Sequence, residues 1–251
     1  MNKYSNNLIE NFPDYLFNKI NEQKLDLRQT GEDIIDLGYG NPDIPSNELV
    51  VQKLIEAAQI KKNHRYSVSK GIHGLRNAIS KKYLREYGIN LDPGRNIVNT
   101  IGSKEGLTHL LMSVINNGDN VIVQDPSYPI HHYAPLIAGA NVIKIECLST
   151  DGFMNNLKKS LKNEKVKVVL VSFPHNPTTL TVNQEFYDEL VELAKIYNFL
   201  LINDFAYSDI YFNQVKPPSL LNSDPELDHC VELYSLTKGY SMAGWRVGFA
   251  I

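Results

Sequence analysis

The sequence predicts a three-layer α/β/α fold around a mostly parallel, seven-stranded sheet. Three observations carry that prediction. Short apolar, β-branched runs recur along the chain, segments of helical period separate them, and glycine, proline and asparagine clusters mark the junctions. Strands that alternate with helices cross over right-handedly and bury a sheet on both faces.

Taken in order, the stretch "DYLFNKINEQKLDLRQ" (14–29) reads as a helix, and "DIIDLGYGNPDIP" (33–45) as a short strand running into a turn cluster. These first residues differ in character from the rest, so a domain boundary is expected with 1–45 as an N-terminal arm and 46–251 as the large domain. A helix over 46–60 and the segment 64–88 lead into the sheet. Candidate strands follow at 96–101, 120–124, 141–146, 166–173, 199–204, 230–235 and 245–251. Between the first two, Leu107, Leu110, Leu111, Val114 and Ile115 share one helical face, with Gly118 placed to cap the end. Phe186, Leu190, Leu193 and Ala194 form a similar stripe ahead of the fifth strand.

The 251 residues carry 43% hydrophobic content and a net charge of -3, with no basic block, so neither nucleic acid nor an anionic membrane is an expected partner. No apolar run reaches the length of a membrane span, and the polar start lacks the apolar core of a signal peptide. Cys147 and Cys230 lie far apart without metal-ligand spacing, which points to a reducing compartment; the expected location is the cytoplasm. No metal site is predicted, and His131, His132 and His175 read as packing or surface residues.

In parallel α/β sheets ligands bind beyond the carboxyl ends of the strands. After the first strand, "GSKEGL" opens a helix whose Ser103 and Lys104 N–H groups suit a phosphate, although Gly-Ser before a helix is also an ordinary N-cap. "DPSYP" offers Tyr128, which can stack on a flat ring or simply pack. In "FPHNPT" two prolines bracket Asn176 and fix its amide. An apolar run delivers Asp204 to a strand end with Tyr207 three residues on; a helix cap is the bland reading of that carboxylate. Ser235, Thr237 and Lys238 close the sixth strand, and Arg246 returns at the seventh. One ligand uses them all. Its phosphate takes Ser103, Lys104, Ser235 and the Arg246 fork; its pyridine ring takes Tyr128 on a face and Asp204 on the nitrogen; its phenolate takes Asn176 and Tyr207; its aldehyde takes the Lys238 amine. That ligand is pyridoxal 5'-phosphate (PLP).

The blocks "LGYGNPDIP", "TIGSKEGL", "FPHNPT", "NDFAYSD" and "SLTKGYSMAGWRVG" resemble, in order and interval, the class I/II aminotransferases of PLP fold type I. The wording of "TIGSKEGLTHL", "DPSYPIHHY" and "SMAGWRVGF" is most similar to the branch of alanine and LL-diaminopimelate aminotransferases. The resemblance implies a PLP-dependent transaminase moving an amino group between an L-amino acid and a 2-oxo acid. It implies that Lys238 is the Schiff-base lysine and proton carrier, that Asp204 keeps the ring nitrogen protonated, and that Tyr207 and Asn176 bind the phenolic oxygen. It further implies that Gly40 and Asn176 contact the substrate carboxylate. Tyr66 would reach the phosphate of a neighbouring subunit in a homodimer, though a partly buried packing residue is its alternative. The family continues past the position of Ile251 into a small domain bearing a carboxylate-binding arginine. This chain is therefore expected to hold the cofactor while lacking a clamp of about 1.5 to 3 kcal/mol, a loss of one to two orders of magnitude in substrate affinity. A PLP-binding fragment without full catalysis, a PLP-dependent β-lyase, a non-enzymatic PLP-binding module and an inert remnant are the alternatives. Release of pyruvate and ammonia against amino transfer separates the lyase, and PLP-dependent stabilisation of a cooperative melt argues against the remnant.

Overall fold

The structure, a computed structural model, describes residues 8, 12, 16–37 and 40–251. The chain divides into two compact units, one ending at Asp43 and the other spanning Ile44–Ile251. In the first unit, α1 runs over Leu16–Gln29 and Lys24 pairs with Asp36 at 2.7 Å. Residues 14 and 15 of the predicted helix lie outside the described residues. The predicted strand after it does not form across 32–37; Ile35 and Leu37 are 83% and 92% exposed there, and no strand among the described residues pairs with them.

The second unit begins with α2 (Glu48–Gln59), capped by the Asn47 side chain, and α3 (His73–Tyr87), which ends where Gly88 turns left-handed. The sheet strands are β1 (Val98–Thr100), β2 (Asn120–Asp125), β3 (Asn141–Glu146), β4 (Val166–Val171), β5 (Leu200–Asp204), β6 (Cys230–Ser235) and β7 (Gly248–Ala250). Helices α4 (Ser103–Val114), α5 (Ile130–Ile137), α6 (Thr150–Asn163), α7 (Gln184–Tyr197) and the single turn α8 (Leu236–Gly239) connect them. Ser149 and Asn183 cap α6 and α7 by accepting from Gly152 and Phe186 N–H groups. Gly118 does not cap α4. The helix ends at Val114 with an extended Ile115, and Gly118 (φ +87°) instead turns the chain so that its N–H reaches the Gly139 carbonyl.

The strand order is β1-β7-β6-β5-β4-β2-β3. The pairs from β3 through β6 are parallel, whereas β7 runs antiparallel to both β6 and β1. The seventh strand is shorter than predicted because a 3-10 turn over Ala243–Trp245 and a left-handed Arg246 (φ 54°) occupy its predicted start. Its reversal has a positional result. Arg246 enters the sheet at the same edge where the parallel strands deliver their carboxyl ends.

One face of the sheet packs Leu107 and Leu111 of α4 and Ala134 of α5 against Val123, Ile202 and Leu233. The other packs Tyr83 of α3, Phe153 and Leu157 of α6 and Leu190 of α7 against Val169, Leu201 and Tyr234. This is the predicted three-layer α/β/α architecture. Among the described residues, no helix is long and apolar enough to cross a membrane.

Glu232 lies fully buried on the α3 face and accepts from Tyr83 Oη (2.8 Å), Ser219 Oγ (2.9 Å) and Leu220 N (3.0 Å). Burial outweighs those donors and pushes its carboxyl up to about 7 from 4.5. The folded chain then holds a proton that the unfolded chain has released, so this group's contribution to stability falls as pH rises from 4.5 through about 7. His175 acts in the opposite sense. Burial, then the nearby His131, lowers it from 6.5 to about 4, so its contribution rises with pH across that interval. The expected result is that Glu232→Gln, compared with the parent chain by denaturant unfolding at pH 5 and pH 8, gains about 3 kcal/mol in relative stability over that range. Parallel profiles would show that Glu232 does not titrate in the core.

Candidate functional site

The strand order reverses direction between β2 and β4, and the groups named from the sequence gather along the carboxyl edge on either side of that point. Gly102 (φ +80°) makes the β1-to-α4 turn, where a Cβ would collide with the Arg246 guanidinium. A Cβ on Gly248 would lie 2.8 Å from the Tyr234 carbonyl oxygen and 3.0 Å from Ser103 N, so this glycine lets β7 close against the start of α4. The first turn of α4 leaves the Ser103 and Lys104 N–H groups without intrahelical acceptors, and the helix dipole adds positive potential there. Ser235 pairs with Gly248 across the β6/β7 ladder and caps α8, its Oγ accepting from Thr237 N at 3.2 Å. Arg246 is exposed, with one guanidinium nitrogen donating to the Ala243 carbonyl at 3.2 Å. N–H groups, a hydroxyl and a cation thus line one cup, a donor set matched to a phosphate.

Beside the cup, Lys238 on α8 holds its Nζ 5.8 Å from the Tyr207 ring centroid. The side chain is half-buried and desolvation lowers its pKa, which raises the fraction of nucleophilic neutral amine. Asn176 donates from Nδ2 to Tyr207 Oη at 3.4 Å. Burial, followed by the nearby Asp204 carboxylate, pushes the Tyr207 phenol up, so it stays a hydroxyl able to donate. The turn bearing Asn176 is tied to its neighbours through Ser172 Oγ to the Asp204 carbonyl (2.8 Å) and Phe173 N to Asn203 Oδ1 (3.2 Å). Tyr128 meets His131 edge-on with centroids 6.0 Å apart, and Lys104 Nζ stands 4.8 Å over the Tyr128 ring. Asn176 and Tyr207 also help line a cavity of about 740 Å³, whose walls include Tyr211, Phe212, Val215 and Pro217.

Asp204 is 6% exposed and is the most informative residue of the group. Its Oδ2 is 3.0 Å from His131 Nε2, while its Oδ1 is buried with no hydrogen-bond partner. A buried carboxylate oxygen left without a donor costs about 1 to 3 kcal/mol, which a protonated ring nitrogen placed there would recover. The residues present therefore fit PLP at the phosphate, amine, phenolate and ring-nitrogen positions.

Two further predicted residues are exposed. Tyr66 is fully exposed on the segment after the 3-10 turn Lys61–His64, and Gly40 is an exposed residue of the first unit. One residue was missed by the sequence reading. His131 is not a mere packing residue, because its ring bonds Asp204 directly. Its only signal was a place just after β2, at the start of the helix that follows the switch point.

Fold and site together define a PLP-binding α/β domain of fold type I, and the residues whose chemistry fits the cofactor lie at the ends of β1, β2, β4, β5 and β6 and the start of β7. The profile of the family "Aminotransferase class I and II" matches residues 32–251, and the chain belongs to that family, whose members depend on PLP. It is 42% identical over 245 residues to a glutamate-pyruvate aminotransferase, AlaC, of Escherichia coli, covering 97% of this chain and 60% of that protein. An LL-diaminopimelate aminotransferase of Aquifex aeolicus is 36% identical over 241 residues, covering 95% and 62%. Among solved structures, substrate-bound BacF of Bacillus subtilis superposes with a TM-score of 0.90 at 31% identity, covering 98% of this chain and 63% of that one. Aspartate aminotransferase of Thermotoga maritima gives 0.87 at 29%, covering 98% and 66%. The chain spans about 60% of the length of the curated relatives it matches.

Proposed function

We propose that this chain is the PLP-holding part of a transaminase that moves an amino group between an L-amino acid of the alanine, glutamate, aspartate or diaminopimelate type and a 2-oxo acid. The observation that carries this reading is the orphaned, buried Asp204 oxygen at the same strand edge as a half-buried lysine amine. When bound, PLP supplies an aldehyde that condenses with amines and a pyridinium that accepts the electrons of the substrate Cα–H bond.

The chain's own residues would do the rest. The α4 N-terminus, Ser235 and Arg246 anchor the phosphate. Asp204 accepts the ring N–H, and His131 holds the carboxylate in place. Tyr207 and Asn176 donate to the phenolic oxygen, and Tyr128 covers a ring face. Lys238 would offer its amine to the cofactor's aldehyde and would be the group that takes the proton from the substrate Cα. Asn176 also takes the substrate carboxylate. A cytoplasmic homodimer completes the proposal, with the exposed Tyr66 ring reaching a partner's phosphate.

The test is the visible absorption of the purified chain with PLP, before and after L-alanine. The expected result is a lysine-bound band that converts to the pyridoxamine form as pyruvate appears. Release of pyruvate and ammonia from a cysteine conjugate, with the lysine-bound band retained and no amino transfer to a 2-oxo acid, would favour the lyase chemistry instead. A band indifferent to every amino acid offered would reduce the chain to a cofactor-holding fragment.

A further inference from the structure

Helix α8 is a single turn of four residues, yet it carries Lys238. A lone helical turn is not stable by itself, so its position has to come from contacts outside it. One end is fixed by the Ser235 cap. The other end rests on Asp209, the last residue of the block "NDFAYSD" and one given no role above.

Asp209 follows Tyr207 by two positions, inside a turn closed by Ile210 N donating to the Tyr207 carbonyl at 3.0 Å. Its Oδ1 accepts from Lys82 Nζ of α3 at 2.9 Å, and its Oδ2 accepts from the hydroxyl of Tyr234, the residue before Ser235. On its far side it packs directly on Gly239, the neighbour of Lys238. A Cβ at Gly239 would lie 2.7 Å from Asp209 Cβ and 2.8 Å from its Oδ2. Lys82 is itself well held. It makes a second bond to Glu86 at 2.8 Å and lies 5.3 Å and 5.8 Å from the Tyr234 and Tyr240 ring centroids, Tyr240 being the residue after Gly239. Side-chain exposures of 11% for Lys82 and 19% for Asp209 place the pair largely out of water. Burial opposes the charge on Lys82, but the bonds from Asp209 and Glu86 outweigh it and hold the ammonium above its usual range. A charge-assisted pair in such a place is directional, and removing one partner leaves the other uncompensated.

One carboxylate therefore joins four elements: the turn of Tyr207, α3, the end of β6 and α8. We propose that Asp209, backed by Lys82, is a positioning residue that sets where the Lys238 amine stands relative to Tyr207. The inference rests on the PLP reading above. An amine at the end of a flexible side chain reacts only from a narrow range of positions, and displacement by about 1 Å costs up to two orders of magnitude. Asp209 is spent on Lys82, Tyr234 and Gly239 and is not among the residues proposed to hold the cofactor; it acts through the backbone of Gly239 and the Tyr207 turn.

A thermodynamic cycle tests this. PLP affinity is measured by equilibrium dialysis and absorbance for the parent chain, Asp209→Ala, Lys238→Ala and the double variant, with thermal unfolding of each apo chain alongside. Asp209→Ala is expected to weaken PLP binding about tenfold where Lys238 is present and no more than about threefold in the Lys238→Ala background. Asp209→Asn, which keeps the shape and loses the charge, is read in the same cycle should the alanine variant not fold, with about a threefold loss expected in the presence of Lys238. Equal losses in both backgrounds would overturn the proposal and leave Asp209 as a support of the fold alone. A parent chain that binds no PLP would instead sink the PLP reading, and this inference with it.

Discussion

Lys238→Ala is expected to lower amino transfer by at least ~10⁴-fold while leaving PLP bound noncovalently in the phosphate cup. Two functions are lost at once, the amine that holds the aldehyde and the group that moves the proton, and losses of groups acting as one unit are far from additive. Lys104 and Lys216 are other amines nearby, but Lys104 is exposed and Lys216 is paired with Glu86, whereas Lys238 is half-buried with its pKa lowered by desolvation. Neither can take over the task. The measurement is single-turnover conversion of L-alanine to pyruvate by PLP-loaded chain, repeated with an added small primary amine. Partial rescue by the free amine is the expected companion result, because the emptied position beside Tyr207 is then open to it. Turnover undiminished by the substitution would place the reacting amine elsewhere.

Asp204→Ala is expected to produce the second largest change. The substitution removes the sole acceptor proposed for a protonated ring nitrogen, a buried charge-assisted hydrogen bond of about 1.5 to 3 kcal/mol, or roughly 10 to 100-fold in PLP affinity. Turnover should fall further than affinity, by about 10³-fold, because an unprotonated ring is a poor electron sink. The two readouts separate function from folding. The apo chain carries the cost of a buried carboxylate with one oxygen unpartnered, so its unfolding midpoint should hold steady or rise on substitution while cofactor binding collapses. A lower midpoint with PLP affinity unchanged would mean that Asp204 serves His131 and the fold only.

Much of this was legible in the sequence because the signals were local. Val166–Val171 and Leu200–Asp204 are mostly apolar runs, interrupted by Lys167 in the first and ending in Asn203 and Asp204 in the second, and suit a sheet covered on both faces. Their ends then pointed to Asn176 and Asp204, as the end of Cys230–Ser235 did to Lys238. Strand direction was not local. Nothing in Gly248–Ala250 or Val98–Thr100 states that β7 runs against its neighbours, since that depends on which edge the chain has reached after a 3-10 turn. Polar residues inside strands escaped for a related reason. Asn203 and Glu232 interrupt hydrophobic runs, and their use emerges only when Phe173 N, Tyr83 and Ser219 arrive from distant segments. His131 and Asp209 fall in the same group. Each is one polar residue among many until the fold sets it against Asp204 or Gly239.

The pairing of Val98 with Ala250 also bears on the order in which the molecule assembles. Closing so long a stretch of chain costs entropy that only late, cooperative contacts repay, so local units such as α6 with β3 and β4 can organise well before β1 meets β7. The phosphate cup lies across that last junction, with Ser103 on one side and Arg246 on the other. A phosphate held by both Ser103 and Arg246 would accordingly find its full set of donors only in chains whose β1/β7 junction has formed.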